Sequence, residues 1–414
     1  MVVERRADVA HTAVTLRAAI IDLSDTVLSP DGKPAAGIAN AIATLRKRGI
    51  KVAMAANRLE GPARQALETV GITVDLVVGS DTVGTKKPSP RFCTYAMERF
   101  GVNASETLYV GDSDKTDALC AVNAGVLYLS ARWTNPNGLY GLPVDSPEKL
   151  LRFVFRFLLA APQWYWVFDA TDRQQRRTHV RALLPASRQA YALKQVLKFG
   201  VDLELEGLSY RAFLYRRLLT ALYLDRLLAD VDLWTWYPSH DGVSKEQHFH
   251  QFLEQGSRLF RDWYARDLLH RWRAAPKSAF ARARGQAVRF ASQVQSVHLN
   301  PQWKKRIKDK HILVVDDFCT AGFSFEWARN LLYAAGATQV SCVSFGRYHD
   351  EYEVHTLAPG QSFDPFSPCS LDDSDFVTQT VRGQVDHGAG QENRRLLAMQ
   401  FQTGKPQQNA ILAR

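Results

Sequence analysis

The chain has 414 residues, of which 46% are hydrophobic and 23% are charged. These proportions are typical of a soluble globular protein, and the length allows two or three domains, each with its own core. The formal net charge of +10 favours anionic partners, namely phosphorylated metabolites, nucleic acid or anionic membrane surfaces, and composition does not separate these three.

Cysteine spacing and hydropathy indicate the compartment. The five cysteines are scattered and include no Cys-x-x-Cys pair, which favours reduced thiols in a cytoplasm over disulfides or a zinc site. The first fifteen residues lack the apolar segment of a signal peptide. The most apolar run, 150–168, contains Arg152, Arg156 and Pro162, so it predicts an amphipathic helix and no membrane span.

Short apolar runs alternate with amphipathic helical stretches from residue 18 onward. The predicted strands cover 19–23, 51–56, 76–78, 107–110 and 126–129, and the predicted helices cover 38–48, 62–70, 90–100 and 117–124. Regular alternation of strand and helix predicts a doubly wound α/β domain with a parallel sheet. In such sheets, functional residues collect at the carboxyl ends of the strands.

Those strand ends carry polar residues: Asp22, Asn57, Lys87, Asp112 and, one turn later, Asp117. The set resembles the haloacid dehalogenase (HAD) superfamily across about residues 18–160. The resemblance implies that Asp22 attacks phosphorus to form an aspartyl phosphate while Lys87 offsets charge, with Asn57 as a further binding residue. It also implies a Mg²⁺ site formed by Asp22, Asp112 and Asp117. A carboxylate approaches a phosphate dianion only when a metal and a cation neutralise the charge.

Two departures from the family pattern leave the chemistry open. The family has Asp-x-Asp-Gly-Thr, whereas this chain has Asp22-Leu-Ser24-Asp25-Thr26, so Ser24 stands where phosphatase members have their general acid/base. In addition, Ala56 precedes Asn57 where Ser or Thr is usual. General acid–base catalysis contributes about 10²–10⁴-fold in rate. Efficient phosphatase activity, weak or altered phosphoryl chemistry, and a structural or ligand-sensing role therefore all remain open.

The spacing of these residues leaves no room for a cap domain. Only roughly thirty residues separate the motif of Asp22 from that of Asn57, and roughly thirty separate Asn57 from Lys87. An open site suits a large substrate or a lid supplied by the rest of the chain. We predict a capless HAD-like domain at 14–165, a basic linker at 166–189, a second domain at 190–360 and a C-terminal extension at 361–414. The linker is either a solvated face or a docking surface for phosphates or nucleic acid.

The second half begins with predicted helices at 190–199 and 210–229, followed by an aromatic β-run at 232–237. Small and polar residues follow that run, and Ser239 and His240 lie among them. One or two helices are predicted over 247–269. A basic segment containing Lys277 comes next, and it is either a mobile catalytic loop or a solvated arginine-rich helix.

A buried strand, two acids and a small-residue loop form the most informative stretch of the second half. Apolar residues 312–315 lead into Asp316 and Asp317, and a helix with apolar residues at helical spacing begins near 325. The loop between them consists of Thr320, Ala321, Gly322, Phe323 and Ser324. Main-chain N–H groups at the start of a helix attract anions, and a glycine permits close approach, so this loop is predicted to bind a phosphate.

This stretch resembles the phosphoribosyl diphosphate (PRPP) signature of type I phosphoribosyltransferases, and the basic segment resembles the mobile loop of their ComF-like branch. The resemblance implies that Asp316 and Asp317 hold ribose hydroxyls and that Thr320–Ser324 bind the 5-phosphate. It further implies that Ser239 and His240 bind pyrophosphate, and that Lys277 or a neighbouring arginine supports its departure. A strand at 339–345 and a loose tail with one helix near 392–400 complete the prediction.

The predicted fold is therefore α/β with two doubly wound domains, a capless HAD-like domain and a type I phosphoribosyltransferase domain. The predicted function is a Mg²⁺-dependent phosphoribosyltransferase acting on PRPP or a nucleotide and an unidentified base, coupled to a HAD-like phosphatase. The pairing resembles predicted pathways of bacterial stress and tellurite-resistance operons. The alternative is a PRPP- or nucleotide-binding regulator or anti-phage effector whose HAD domain is not catalytic. Nucleic acid and an oligomer are left open as partners, and no membrane is expected.

Overall fold

The computed structural model describes residues 15–159, 164–186, 197, 204–205, 208–227, 230–242, 247–275 and 289–389. The described strands are β1 Ala18–Asp22, β2 Lys51–Ala55, β3 Leu76–Val78, β4 Thr107–Gly111, β5 Leu127–Ala131, β6 Leu142–Val144, β7 Trp166–Thr171, β8 Arg177–Pro185, β9 Glu204–Leu205, β10 Leu208–Ser209, β11 Leu233–Trp236, β12 Trp263–Tyr264, β13 Leu269–Arg271, β14 Val297–Leu299, β15 His311–Cys319, β16 Gln339–Arg347, β17 Glu351–Leu357, β18 Phe376–Arg382 and β19 Gln384–Val385. The described α-helices are α1 Ile38–Lys47, α2 Glu60–Thr69, α3 Ser80–Val83, α4 Arg91–Phe100, α5 Leu119–Asn123, α6 Pro147–Phe153, α7 Tyr210–Leu224, α8 Gln247–Leu259, α9 Ala291–Val294, α10 Lys304–Ile307 and α11 Phe323–Ala334. Short 3₁₀ turns cover Ala104–Glu106, Pro301–Trp303 and Asp373–Asp375, and π-helical turns cover Asp114–Ala118 and Val154–Leu158.

The first sheet has the strand order β3-β2-β1-β4-β5-β6, and its strands are all parallel. All five residues of β1 are buried, as expected for a central strand covered on both faces. The chain adds β2 and β3 on one side of β1 and then β4, β5 and β6 on the other. The strand order therefore reverses between β1 and β4, and ligands of such sheets bind at this reversal.

The predicted elements of this region are confirmed to within a few residues, with one exception. The predicted helix 117–124 is divided into the π-helical turn Asp114–Ala118 and α5. Residues 23–86 are all described, and they contain α1, α2, α3, two strands and their connecting turns, with no inserted cap domain. The site at the carboxyl edge is therefore not covered by a cap from this segment.

The second large sheet has the order β12-β11-β15-β16-β8-β7-β19. Its first five strands are mutually parallel, and β7 and β19 extend it in antiparallel fashion. The carboxyl ends of β11 and β15 lie side by side, because Trp236 pairs with Val315 in the register of the two strands. The second half is thus also an α/β unit whose predicted functional loops share one sheet edge.

The prediction of a linker over 166–189 was wrong, because β7 and β8 belong to this sheet. Arg181 of β8 is buried, and its guanidinium donates hydrogen bonds to Asp169 at 2.7 Å and to Asp225 at 2.8 Å. A basic residue that pairs internally cannot be distinguished by composition from one that is solvated. The positive charge of this segment is therefore partly structural.

Two other predictions of the second half change, and two predicted helices are not tested. The predicted helical stretch 247–269 ends with α8 and continues into β12 and the start of β13. The predicted extension contributes β18, which pairs with β17, and β19, which pairs with β7. The predicted helix near 392–400 and all but residue 197 of the one over 190–199 lie outside the described residues. None of the helices in the described ranges is both long and apolar enough to span a bilayer.

Several described hydrogen bonds between the two halves lie at the amino edge of the first sheet, and Arg216 also donates to the Pro143 carbonyl of β6 at 2.9 Å. The Tyr223 hydroxyl donates to the Thr107 carbonyl at 2.7 Å, and Arg261 donates to the Asn123 side chain at 2.5 Å. Thr107 begins β4 and Asn123 precedes β5, so both lie opposite the carboxyl edge. These contacts do not support the expectation that the second half forms a lid over the HAD-like site.

Candidate active site

The carboxyl edge of the first sheet holds a buried cluster formed by Asp22, Lys87 and Asp117. Their relative exposures are 3%, 6% and 1%. The Lys87 ammonium donates to Asp117 Oδ1 at 2.6 Å and also to Asp22 Oδ1. Buried charges are retained in proteins when they are paired in this way. The cluster is therefore a compact ion-paired core, with one cation between two carboxylates.

The topology brings these residues together from three separate segments. Asp22 ends β1, and Asp117 follows the neighbouring strand β4, so both lie at the strand-order reversal. Lys87 comes from the loop after α3, and its main-chain N–H donates to Asn57 Oδ1 at 2.7 Å. Asn57 therefore fixes the loop that carries the lysine, although its predicted role was to bind a ligand.

Asp117 is held from several sides. It lies in the π-helical turn Asp114–Ala118, and π-helical turns are frequent at functional sites. Tyr109 donates to its Oδ1 at 3.0 Å, and the main-chain N–H of Ser113 donates to its Oδ2 at 3.2 Å. A side chain at Gly111 would overlap the Asp117 carboxylate, so the glycine permits this close approach.

Asp112 completes a group of three acids. One carboxylate oxygen from each of Asp22, Asp112 and Asp117 lies within 4.8 Å of the other two. Asp112 is half-buried and accepts a hydrogen bond from Thr26 at 3.1 Å. Mg²⁺ prefers carboxylate oxygens that leave room for waters and substrate phosphates. The three acids predicted as metal ligands are thus together, and their chemistry fits Mg²⁺.

The electrostatics of the cluster favour an additional cation. Burial raises the pKa of Asp22 to about 7, although the charge of Lys87 acts in the opposite direction. Burial alone would lower the pKa of Lys87, but the charges of Asp22 and Asp117 outweigh it and the pKa rises. Burial and the charge of Asp117 also raise the pKa of Asp112. A divalent cation would lower the pKa of Asp22 and of Asp112 and keep Asp22 ionised as a nucleophile.

The rim beside Asp22 differs from the core in its chemistry. Arg58, which follows Asn57, donates to the Ser24 hydroxyl at 3.2 Å. Asp25 is exposed and adopts a left-handed conformation, with φ of 63°. Aspartate and asparagine tolerate this conformation better than most residues. Ser24 and Arg58 are therefore the hydrogen-bonded pair on this side of the site.

The haloacid dehalogenase-like hydrolase family matches residues 6–131 of the chain. Residues 6–131 are therefore similar to the HAD superfamily, and this part of the chain is called the HAD domain below. The chain is 40% identical over 87 residues to the phosphoglycolate phosphatase of Rhodospirillum rubrum, covering 20% of this chain and 36% of that protein. It is 34% identical over 99 residues to the probable phosphatase IndB of Dickeya dadantii, covering 23% and 43%. It is 34% identical over 103 residues to the phosphoglycolate phosphatase of Aquifex aeolicus, covering 24% and 48%. The chain therefore spans about a third to a half of the length of these relatives.

Outside the HAD domain, the carboxyl edge of the second sheet holds the acid pair and the small-residue loop. Asp316 and Asp317 lie inside β15, which continues to Cys319, so the acids do not end the strand as predicted. Asp316 is half-buried and Asp317 is 8% exposed. Among the described residues, none accepts a hydrogen bond from the main-chain N–H groups of Thr320–Ser324. The five predicted loop residues are thus placed together at the N-terminus of α11, with their donors available.

One detail of this edge differs from the prediction. Gly322 has φ of 100°, and a side chain there would overlap the ring of Tyr352, so the close approach at this glycine is made by Tyr352. Ser239 and His240 follow β11 as predicted, and the Ser239 hydroxyl donates to Asp241 at 2.8 Å. Lys277 lies outside the described residues.

Three residues that contact the HAD-domain cluster or its rim were not predicted from the sequence. Thr26 was inside the quoted motif, and its hydroxyl at the end of that motif was a usable signal. Arg58 is adjacent to Asn57, so its place on the rim was also accessible. Tyr109 lies within a buried apolar strand, where nothing distinguishes a tyrosine that donates to an acid from one that only packs.

Proposed function

We propose that the HAD domain is a Mg²⁺-dependent phosphohydrolase that works through an aspartyl phosphate on Asp22. The observation that carries this proposal is the buried Asp22–Lys87–Asp117 cluster beside Asp112, at the strand-order reversal of the sheet. The phosphatase names of the partial relatives support the same class of reaction.

Each residue of the cluster has a distinct task in this reaction. Asp22 forms a bond to phosphorus, and the leaving-group oxygen departs with the electron pair. Lys87 offsets the negative charge that accumulates as carboxylate and phosphate approach. Asp22, Asp112 and Asp117 would hold Mg²⁺, which polarises the phosphoryl group and reduces charge repulsion when bound. Water then attacks the aspartyl phosphate, the bond to Asp22 breaks, and the carboxylate is regenerated.

Removal of the metal tests the proposal. We expect the full chain to release p-nitrophenol from p-nitrophenyl phosphate in Mg²⁺. Chelation with EDTA should lower the rate at least about 100-fold, because without metal the three acids outweigh the one lysine and the excess negative charge repels the phosphate. Excess Mg²⁺ should restore the rate. A rate that is insensitive to EDTA and to added Mg²⁺ would contradict the metal-dependent mechanism.

We propose as a second candidate function that the C-terminal sheet binds PRPP and transfers its ribosyl group. Two specific observations favour it over a site of no function. The acid pair of β15 precedes five N–H donors without an acceptor in the described chain. The loop after β11, with Ser239 and His240, lies at the same sheet edge because β11 and β15 are adjacent and parallel. This arrangement supports a sugar phosphate held at one loop and a diphosphate at the other.

Calorimetry tests this second candidate. We expect PRPP with Mg²⁺ to bind the full chain, and the double variant Asp316→Asn/Asp317→Asn to bind at least about 100-fold more weakly, because charged hydrogen bonds contribute roughly 1.5–3 kcal/mol each. Asp309→Asn is the matched control, since Asp309 is exposed, lies two residues before the start of β15 and has φ of 61°, which asparagine also tolerates.

Two outcomes distinguish the possible functions of the second site. PRPP affinity that is unchanged in the double variant would remove the ribosyl assignment. Tight binding without pyrophosphate release in a screen of nitrogenous bases would instead favour a PRPP-sensing regulator.

A further inference from the structure

The rim of the HAD-domain site contains a hydroxyl and a guanidinium, those of Ser24 and Arg58, which are hydrogen-bonded to each other. Ser24 lies two residues after Asp22, and Ser24 makes a β-bridge with Leu28, so its backbone is locally extended. Residues two apart in extended backbone point to the same side, which places Ser24 on the side of Asp22. Arg58 reaches Ser24 from the end of the adjacent strand β2, with 3.2 Å between guanidinium nitrogen and hydroxyl oxygen.

Neither group is suited to protonate a leaving group. Arginine stays protonated in proteins, and a serine hydroxyl is a neutral donor and acceptor. A guanidinium does, however, donate strong charge-assisted hydrogen bonds to anionic oxygens, phosphates above all. Asp112 and Asp117 belong to the proposed metal site, and Asp25 is exposed in its left-handed turn. The rim is built to stabilise a departing anion.

We infer that the HAD domain acts on the terminal phosphoanhydride of an organic diphosphate or triphosphate in preference to an alkyl monophosphate. This inference rests on the phosphohydrolase function proposed above. An Asp22 oxygen bonds to the terminal phosphorus, and the bridging P–O bond breaks. The organic phosphate departs with the electron pair as an anion held by Arg58, and no proton is transferred. Water then releases inorganic phosphate from Asp22, and the proton of that water passes to solvent.

The basicity of the leaving group sets the expected difference in rate between an alkyl ester and an anhydride. An alkoxide is about as basic as hydroxide, whose conjugate acid, water, has a pKa of about 15.7. An organic phosphate dianion has a conjugate acid with a pKa of about 6. An alkyl ester therefore loses the roughly 10²–10⁴-fold contribution of a general acid, whereas an anhydride does not need it.

Matched substrates test this preference. With the full chain in Mg²⁺, we expect kcat/KM for phosphate release from ADP to exceed that from AMP at least about 100-fold. Asp22→Asn should abolish release from ADP, which assigns the activity to the HAD domain. Ser24→Asp supplies an acid at the rim and should lower the ADP-to-AMP ratio at least about 10-fold by raising turnover of AMP, whereas the isosteric control Ser24→Asn should not raise it.

Arg58→Gln should also lower the ADP-to-AMP ratio, because it removes the cation that holds the departing phosphate, and Arg58→Lys should restore part of it. A wild-type ratio within about 10-fold of one would overturn the inference and leave the phosphohydrolase intact. Selective loss of AMP turnover in Asp25→Asn would identify Asp25 as a proton donor and also overturn it. Release from none of ADP, AMP and p-nitrophenyl phosphate would remove the proposed function together with the inference.

Discussion

Replacement of Asp22 by asparagine is expected to lower phosphate release by the full chain at least about 10³-fold, because it removes the nucleophile on which every proposed step depends. Asparagine preserves the shape of the side chain but removes its charge, so Lys87 keeps only Asp117 as a charged partner. The expected loss lies in kcat, since Asp112 and Asp117, the other two acids of the proposed metal site, remain in place.

A covalent readout separates a missing nucleophile from a damaged fold. The wild-type chain quenched in acid during turnover should carry phosphate on the peptide that contains Asp22, as detected by mass spectrometry, and the variant should not. Asp22→Ala excludes recovery by deamidation. The matched control is Asp145→Asn, because Asp145 is 57% exposed and pairs with Lys149 on the surface. Undiminished turnover in Asp22→Asn would rule out the aspartyl phosphate mechanism.

The fold of the HAD domain was predictable because its signals are local. Buried strands such as β1 are short apolar runs, and the helices between them repeat their apolar residues at helical spacing. In α1, for example, the buried residues are Ile38, Ala41, Ile42 and Leu45. Strand–helix alternation then fixes a parallel sheet, and with it the edge at which Asp22, Asp112 and Lys87 meet.

The failures concern interactions between residues distant in sequence. Arg181 is buried because Asp225, 44 residues later, accepts from it, and the sequence near Arg181 shows only a basic segment. The π-helical turn that carries Asp117 depends on its fit against Gly111 and Tyr109, and helical spacing does not report such a fit. Tyr352, which packs on Gly322, belongs to β17, for which no element was predicted, and β17 pairs with β18 from the predicted C-terminal extension. A sequence pattern that places a loop therefore does not identify what fills the space beside it.

The cluster also links stability to function in a way that the sequence pattern alone does not express. Lys87 neutralises two buried carboxylates, and these are the same carboxylates that the proposed reaction needs for the nucleophile and the metal. The site without metal therefore depends on one lysine for most of its charge balance. This dependence should be measurable as folding free energy.

Replacement of Lys87 by methionine is expected to destabilise the HAD domain by about 3–5 kcal/mol in EDTA, because it leaves Asp22 and Asp117 buried without a cation. Urea denaturation followed by circular dichroism measures the loss. Lys86→Met is the matched control, since Lys86 is the exposed neighbour and should change stability by no more than about 0.5 kcal/mol.

The double variant Asp22→Asn/Lys87→Met decides the cause of the loss. If uncompensated charge is responsible, neutralising Asp22 should recover part of the stability, since one unpaired buried carboxylate replaces two. For the same reason, Mg²⁺ should stabilise Lys87→Met more than it stabilises the wild type. Neither Lys87→Met nor the double variant should hydrolyse phosphate esters at the wild-type rate. A double variant that is less stable than Lys87→Met, with no added effect of Mg²⁺, would show that lost packing of the lysine stem, and not charge, holds the site together.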